Sequence, residues 1–136
     1  MKNKNLFLCL TSLLIVFPLY FFGKIKNKKN SEIICAFFLL LIFTTSILFW
    51  VNPIQHSFFH KLDAFIVRIS ILYILFYVFF VKYKYIKLFL YLFCISFLFY
   101  FYGHKYSNIK WCCDEHFIFH GIFHIFCYFS CIFLFI

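Results

Sequence analysis

Five long apolar segments constrain the fold of this chain most strongly. They cover residues 6–22, 33–51, 62–81, 86–102 and 116–136, and each approaches the roughly 20 residues with which a helix crosses about 30 Å of hydrocarbon. Backbone groups in lipid must bond within a helix or a closed barrel, and no segment alternates as barrel strands do. The sequence therefore predicts an all-α, polytopic transmembrane bundle of about five helices, forming a single transmembrane domain over residues 1–136.

The composition indicates a multipass integral membrane protein. Of 136 residues, 66% are hydrophobic and 12% are charged, with a mean hydropathy of +0.99. A soluble domain of this size has too much surface to hide so much apolar material. The net charge of +9 lies almost entirely between the apolar segments, which is typical of loops at an anionic membrane surface. We therefore expect membrane lipids as partners and no nucleic acid.

The first segment has two interpretations. Lys2 and Lys4 precede its apolar core, as in a signal peptide. The core ends at Gly23 and Lys24 without a small-x-small cleavage site, which favours an uncleaved membrane anchor.

Three histidines in the last segment are candidates for a metal site. His116, His120 and His124 recur at every fourth position, so a helix places them on one face within an arc of about 80°. Coordinating groups are costly in an apolar helix and are functional candidates there, and a neutral imidazole is a common metal ligand. The alternative is a row of interfacial histidines that bond to water or lipid headgroups.

A second candidate group lies at the start of the third segment, where His60 precedes Asp63. In an up-and-down bundle, the connections before the third and fifth segments lie on the same membrane face. The starts of these two helices can therefore meet in one pocket, where His60 and Asp63 join the histidine row. Alone, Asp63 has another explanation, because a carboxylate at a helix start caps the first turn and complements the dipole.

The order of these residues resembles the CREST superfamily of membrane proteins, which includes alkaline ceramidases and the progestin and adipoQ receptors. The family pattern has Ser-x-x-x-His at the end of one helix, Leu-Asp near the start of the next and His-x-x-x-His in the last. Here, Ser46 begins the first motif, Leu62 and Asp63 form the second, and His120 and His124 form the third. The resemblance covers the second, third and fifth segments.

The resemblance implies a zinc-dependent hydrolase acting on a lipid amide such as ceramide. It implies that His120 and His124 bind zinc, that His60 or His116 completes the metal site, and that Asp63 transfers protons. Ser46 would support the oxyanion. Zinc in such a site lowers the pKa of its bound water to about 7 and polarises the amide carbonyl.

Two features depart from the family pattern. Trp50 occupies the position of the first histidine ligand, and an indole cannot bind a metal. The family has seven helices, whereas this sequence predicts five. The alternative hypothesis is therefore a small non-enzymatic membrane protein with an interaction or structural role, or a degenerate relative.

Overall fold

The fold is entirely helical across the part of the chain that the structure describes, which confirms the predicted fold class. The structure is a computed structural model that describes residues 2–82 and 84–136, with side chains described from residue 5. The helices are α1 (Lys2–Ser12), α2 (Val16–Lys24), α3 (Asn30–Val51), α4 (Phe58–Phe80), α5 (Ile86–Ile109) and α6 (Asp114–Ile132). α1 and α2 are two halves of one broken helix, which we call the first rod; each of the other four helices is a rod of its own. The described chain therefore forms the five helical rods that the sequence predicts.

The break in the first rod is a short 3₁₀ helix, Leu13–Ile15. Pro18 follows one turn after Leu14. A proline cannot donate a backbone hydrogen bond, and its ring clashes with the carbonyl group four residues earlier. The proline therefore explains why the first rod changes its winding between Ser12 and Val16.

Four of the rods are long and apolar enough to cross a membrane, and the chain is therefore a multipass integral membrane protein. The candidate spans are Asn5–Lys24, Asn30–Val51, Phe58–Phe80 and Ile86–Ile109. The last helix, α6, is not among these spans, although the sequence predicts a fifth one. Asp114 and Glu115 occupy its first turn and three histidines follow, which lowers its hydropathy.

Several helix ends differ from the predicted ones. The fourth segment does not end before Gly103, because α5 continues to Ile109. A Cβ atom at position 103 would lie 3.5 Å from the backbone nitrogen of His120, so the glycine marks a close approach of α5 to α6. The third segment begins earlier than predicted, at Phe58, because Ser57 caps α4 by accepting a hydrogen bond from the backbone N–H of His60.

The helices pack as two pairs joined by the first rod. Helix α4 packs on α3, α5 packs on α6, and α1 and α2 contact both α3 and α6. Across the described residues, α4 and α5 make no comparable contact with each other. The bundle is therefore open on the side where α4 and α5 face one another.

The first rod lies very close to α6. A Cβ atom at Gly121 would overlap the ring of Phe7. Glycine is therefore the residue that allows α1 to approach α6 at this level. This contact places Thr11 and Ser12 of α1 beside the histidine row.

Candidate intramembrane site

A cavity of about 610 Å³ occupies the space between α4 and α5, with α3 and α6 behind it. Its wall includes every histidine of the chain: His56, His60, His104, His116, His120 and His124. Ser46 and Asp63 line the same cavity, so all six predicted site residues share one space. The remaining wall is largely apolar and includes Ile71 and Phe97.

The carboxylate of Asp63 is held by two hydroxyl groups from α3. Thr45 Oγ1 donates to Asp63 Oδ1 at 2.8 Å, and Ser46 Oγ donates to the same oxygen at 3.0 Å. Asp63 lies more than one turn inside α4, whose N-cap is Ser57, so the capping explanation of Asp63 is wrong. Because Oδ2 has no hydrogen bond to the described residues, it is the oxygen that can take a proton from a molecule in the cavity.

The three histidines of α6 form a continuous row. Ring centroids of His116 and His120 are 5.7 Å apart, and those of His120 and His124 are 4.8 Å apart. His116 is only 4% exposed. Its Nδ1 atom is buried and has no hydrogen-bond partner among the described residues.

His124 contacts two hydroxyl groups of α1 that the sequence interpretation did not include. Its Nδ1 atom lies 3.0 Å from Thr11 Oγ1 and 3.5 Å from Ser12 Oγ. Both hydroxyls donate to the carbonyl of Leu8, at 3.0 Å and 2.9 Å. We therefore assign the imidazole proton to Nδ1, which donates to Thr11 and leaves the lone pair on Nε2.

His60 is held differently. Its Nδ1 atom accepts a hydrogen bond from the backbone N–H of His56 at 3.0 Å. His56 has a φ of 61°, a left-handed conformation uncommon for residues other than glycine. With Nδ1 accepting, the proton of a neutral His60 lies on Nε2, so neither nitrogen offers a free lone pair in this arrangement.

Trp50 occupies the place beside the histidine row. Its ring centroid lies 4.9 Å from that of His120 and 6.0 Å from that of His116. The side chain is 1% exposed, and its Nε1 atom has no hydrogen-bond partner among the described residues. A buried donor without an acceptor is costly to stability.

The two connections that precede α4 and α6 meet at one end of the bundle, as the sequence predicts. Trp111 Nε1, in the connection before α6, donates to the carbonyl of Pro53 at 2.9 Å. The Trp111 ring lies 5.2 Å from the rings of both His60 and His116. Trp111 therefore joins the histidine of α4 to the histidine row of α6.

Cys112, in the same connection, has a thiol that stays protonated at neutral pH. Burial, and secondarily the neighbouring Cys113, raise the pKa of Cys112 to about 11. A thiol must lose its proton to bind a metal. Without a metal ion nearby, Cys112 is therefore a neutral thiol at neutral pH.

The donor groups do not form a complete metal site as they stand. Within residues 2–82 and 84–136, no group of three or more His, Cys, Asp or Glu side chains is arranged to hold a metal ion. His120 and His124 supply one pair in register, whereas catalytic zinc needs three protein ligands and an open position. Trp50, which cannot bind a metal, is the ring that lies 4.9 Å from His120 on this side of the row.

Comparison of this chain with protein-family models, with curated proteins and with solved structures found no match.

Proposed function

We propose that this membrane protein takes a lipid into its cavity through the opening between α4 and α5. The observation that supports the proposal is that one cavity has both a polar and an apolar part in its wall. Its polar groups include Asp63 and the histidine row, while its remaining wall is apolar. A lipid can place its polar headgroup against the polar residues and its hydrocarbon chain against the apolar part of the wall.

We further propose that the lipid is an amide and that the protein is a divergent relative of the CREST superfamily. The three segments that carry the resemblance supply Ser46, Asp63 and the pair His120 and His124. These residues lie far apart in the sequence, yet all line the same cavity. The hydrogen bond from Ser46 to Asp63 also joins two of the three motifs directly.

In this proposal, the residues of the chain divide the work of amide hydrolysis. Asp63 takes a proton from the attacking water through Oδ2 and returns it to the nitrogen of the departing amine. Thr45 and Ser46 hold the carboxylate in place, and because Ser46 donates its one hydroxyl proton to Asp63, it does not also support the oxyanion.

Zinc is the proposed cofactor, with His120 and His124 as ligands. The third ligand would be His116, or else His60 after its Nδ1 atom is released from the backbone N–H of His56. Bound zinc would polarise the amide carbonyl.

The second candidate function is a non-enzymatic lipid-binding protein. Trp50 favours this candidate, because it lies 4.9 Å from His120 at the position of the family's first histidine ligand. His60 also has its Nδ1 atom engaged by His56. A protein with this arrangement would keep the lipid cavity of the family and lack its chemistry.

Two measurements on purified protein in lipid nanodiscs separate these candidates. The first is the zinc content of the protein and of the His120→Ala/His124→Ala double variant. The second is release of fatty acid from ceramide and other lipid amides, measured by mass spectrometry with and without added zinc. The hydrolase proposal predicts bound zinc and fatty acid release, both lost in the double variant.

A matched control is Gly23→Ala, because a Cβ atom at Gly23 has no neighbour within 4 Å. This variant should keep both zinc and activity. Absence of zinc and of fatty acid release from the native protein would refute the hydrolase proposal. Saturable lipid binding without hydrolysis would support the second candidate.

A further inference from the structure

The wall of the cavity contains one cation deep within the membrane. Arg68 lies about ten residues from Phe58 and about twelve from Phe80, the ends of α4. At about 1.5 Å per residue, these distances are about 15 Å and 18 Å along the helix axis. Arg68 is therefore near the middle of a membrane span, where a charged side chain is costly and marks a candidate functional site.

Within the described part of the chain, no anionic side chain pairs with this cation. Among the described residues, Arg68 makes no salt bridge, and Asp63 is the one acidic residue in the cavity wall. Asp63 instead accepts the hydroxyl groups of Thr45 and Ser46. The guanidinium group has five N–H donors and no acceptor, so it requires acceptor atoms from another molecule.

Arg68 also lies at the open side of the bundle. It belongs to α4, its side chain is exposed, and it lines the cavity that opens between α4 and α5. Arg68 and Lys61 are the cationic side chains of the cavity wall, and Arg68 is the one that lies far from both ends of α4.

We propose that the cavity selects an amphiphile that carries an anionic group, a carboxylate or a phosphate, and that Arg68 binds this group. Guanidinium groups bind both anions through paired, charge-assisted hydrogen bonds. The hydrocarbon chain would lie along the apolar wall near Ile71 and Phe97. This inference requires the lipid-accessible cavity and does not depend on amide hydrolysis.

Energy transfer from tryptophan provides a direct binding test. Trp50 and Trp111 are the two tryptophans of the chain, and both line the cavity. Their emission can excite a fluorescent polyene fatty acid such as parinaric acid. We would compare this acid, its uncharged methyl ester and a lysophosphatidic acid with the same chain, in zwitterionic nanodiscs at mildly alkaline pH.

The native protein should bind the acid about tenfold or more tightly than the ester, as expected for a charge-assisted hydrogen bond. Arg68→Gln should reduce this preference below about threefold and leave ester binding unchanged. Lys87→Gln removes the same charge from a residue outside the cavity wall and should keep the preference. Tighter binding of the lysophosphatidic acid than of the fatty acid would identify phosphate as the preferred anion.

Equal binding of acid, lysophosphatidic acid and ester by the native protein would overturn the proposal. So would an unchanged preference in Arg68→Gln, which would mean that Arg68 only extends toward lipid headgroups. If Arg68→Gln does not fold, Arg68→Lys decides the question. That variant keeps a positive charge and should retain a clear preference for the anion, whereas equal binding of acid and ester would contradict the role of Arg68.

Discussion

Helices α3 and α4 hold their polar groups with a different chemistry from α1 and α6. On the α3–α4 wall (Thr45, Ser46 and Asp63), two hydroxyls donate to one carboxylate oxygen. On the α1–α6 wall (Thr11, Ser12 and His124), two hydroxyls approach one imidazole nitrogen, the nearer at 3.0 Å. Each wall bonds internally, and within the described residues no hydrogen bond joins one wall to the other.

This difference explains how the cavity can remain available to a ligand. The α3–α4 wall fixes a negative acceptor, whereas the α1–α6 wall fixes a neutral ring with a free lone pair on Nε2. If Asp63 were bonded to His124, the two groups would satisfy one another and close the space between them. Asp63 and His124 are each hydrogen-bonded by hydroxyl groups of their own wall, through one of their polar atoms. The other polar atom of each side chain is therefore available to a substrate or lipid.

Removing the carboxylate should have the largest effect. Asp63→Ala leaves the hydroxyl of Ser46 without its acceptor, at a cost of about 1–3 kcal/mol for a buried group left unsatisfied. Thr45 also loses its bond to Asp63 but can still donate to the carbonyl of Ile42 at 3.2 Å. Asp63→Asn keeps an acceptor oxygen and should cost less. Denaturant unfolding in detergent measures both values. Equal stability of Asp63→Ala and native protein would show that these hydrogen bonds do not hold the α3–α4 wall.

Moving the α1–α6 wall should have the next largest effect. Gly121→Ala introduces a Cβ atom that overlaps the ring of Phe7, so the ring must shift, and the variant should be less stable than Gly103→Ala by about 1 kcal/mol, at the lower end of overpacking losses. It should also weaken the contact between Thr11 and His124. Gly103→Ala is the matched control, because its Cβ atom would make only ordinary contacts, at 3.5 Å or more. A larger loss of stability in Gly103→Ala than in Gly121→Ala would contradict this account of the packing.

Changing a single hydroxyl should have the smallest effect. Thr11→Val keeps the shape of the side chain and removes the acceptor of His124 Nδ1–H, at a cost of about 1 kcal/mol. Nitrogen NMR of labelled histidine should show one imidazole leaving the Nδ1–H tautomer in this variant. Thr11→Ser should retain the tautomer. An unchanged histidine spectrum in Thr11→Val would mean that Thr11 does not determine the proton position.

The sequence indicates the α3–α4 wall and the histidine row more fully than it indicates α1. Helical periodicity and the shared face of two connections are enough to bring Asp63 and the histidines into one space. Thr11 has no such signal, because its contact with His124 depends on how closely α1 approaches α6 at Gly121. His104 was also missed, because the predicted helix ended before Gly103 while α5 continues through it. Glycine there permits close packing and does not end the helix.

Arg68 shows what a residue type alone leaves open. In the sequence, a single arginine in an apolar segment is explained by a side chain that reaches toward the membrane surface. Its place in the cavity wall depends on the gap between α4 and α5, which no local pattern records. The same limit applies to Trp50, whose type excludes metal binding but whose contact with His120 requires the fold.

The most direct test of the central claim, that a lipid occupies the space between the two walls, is cross-linking with a photoactivatable lipid amide. We predict that mass spectrometry will map the label to cavity residues such as Ile71 and Phe97, and that unlabelled lipid amide will compete with it. Phe37 and Leu40, exposed residues of α3 outside the cavity wall, should carry only label that does not compete. Label confined to such outer residues, without competition at Ile71 or Phe97, would contradict the account.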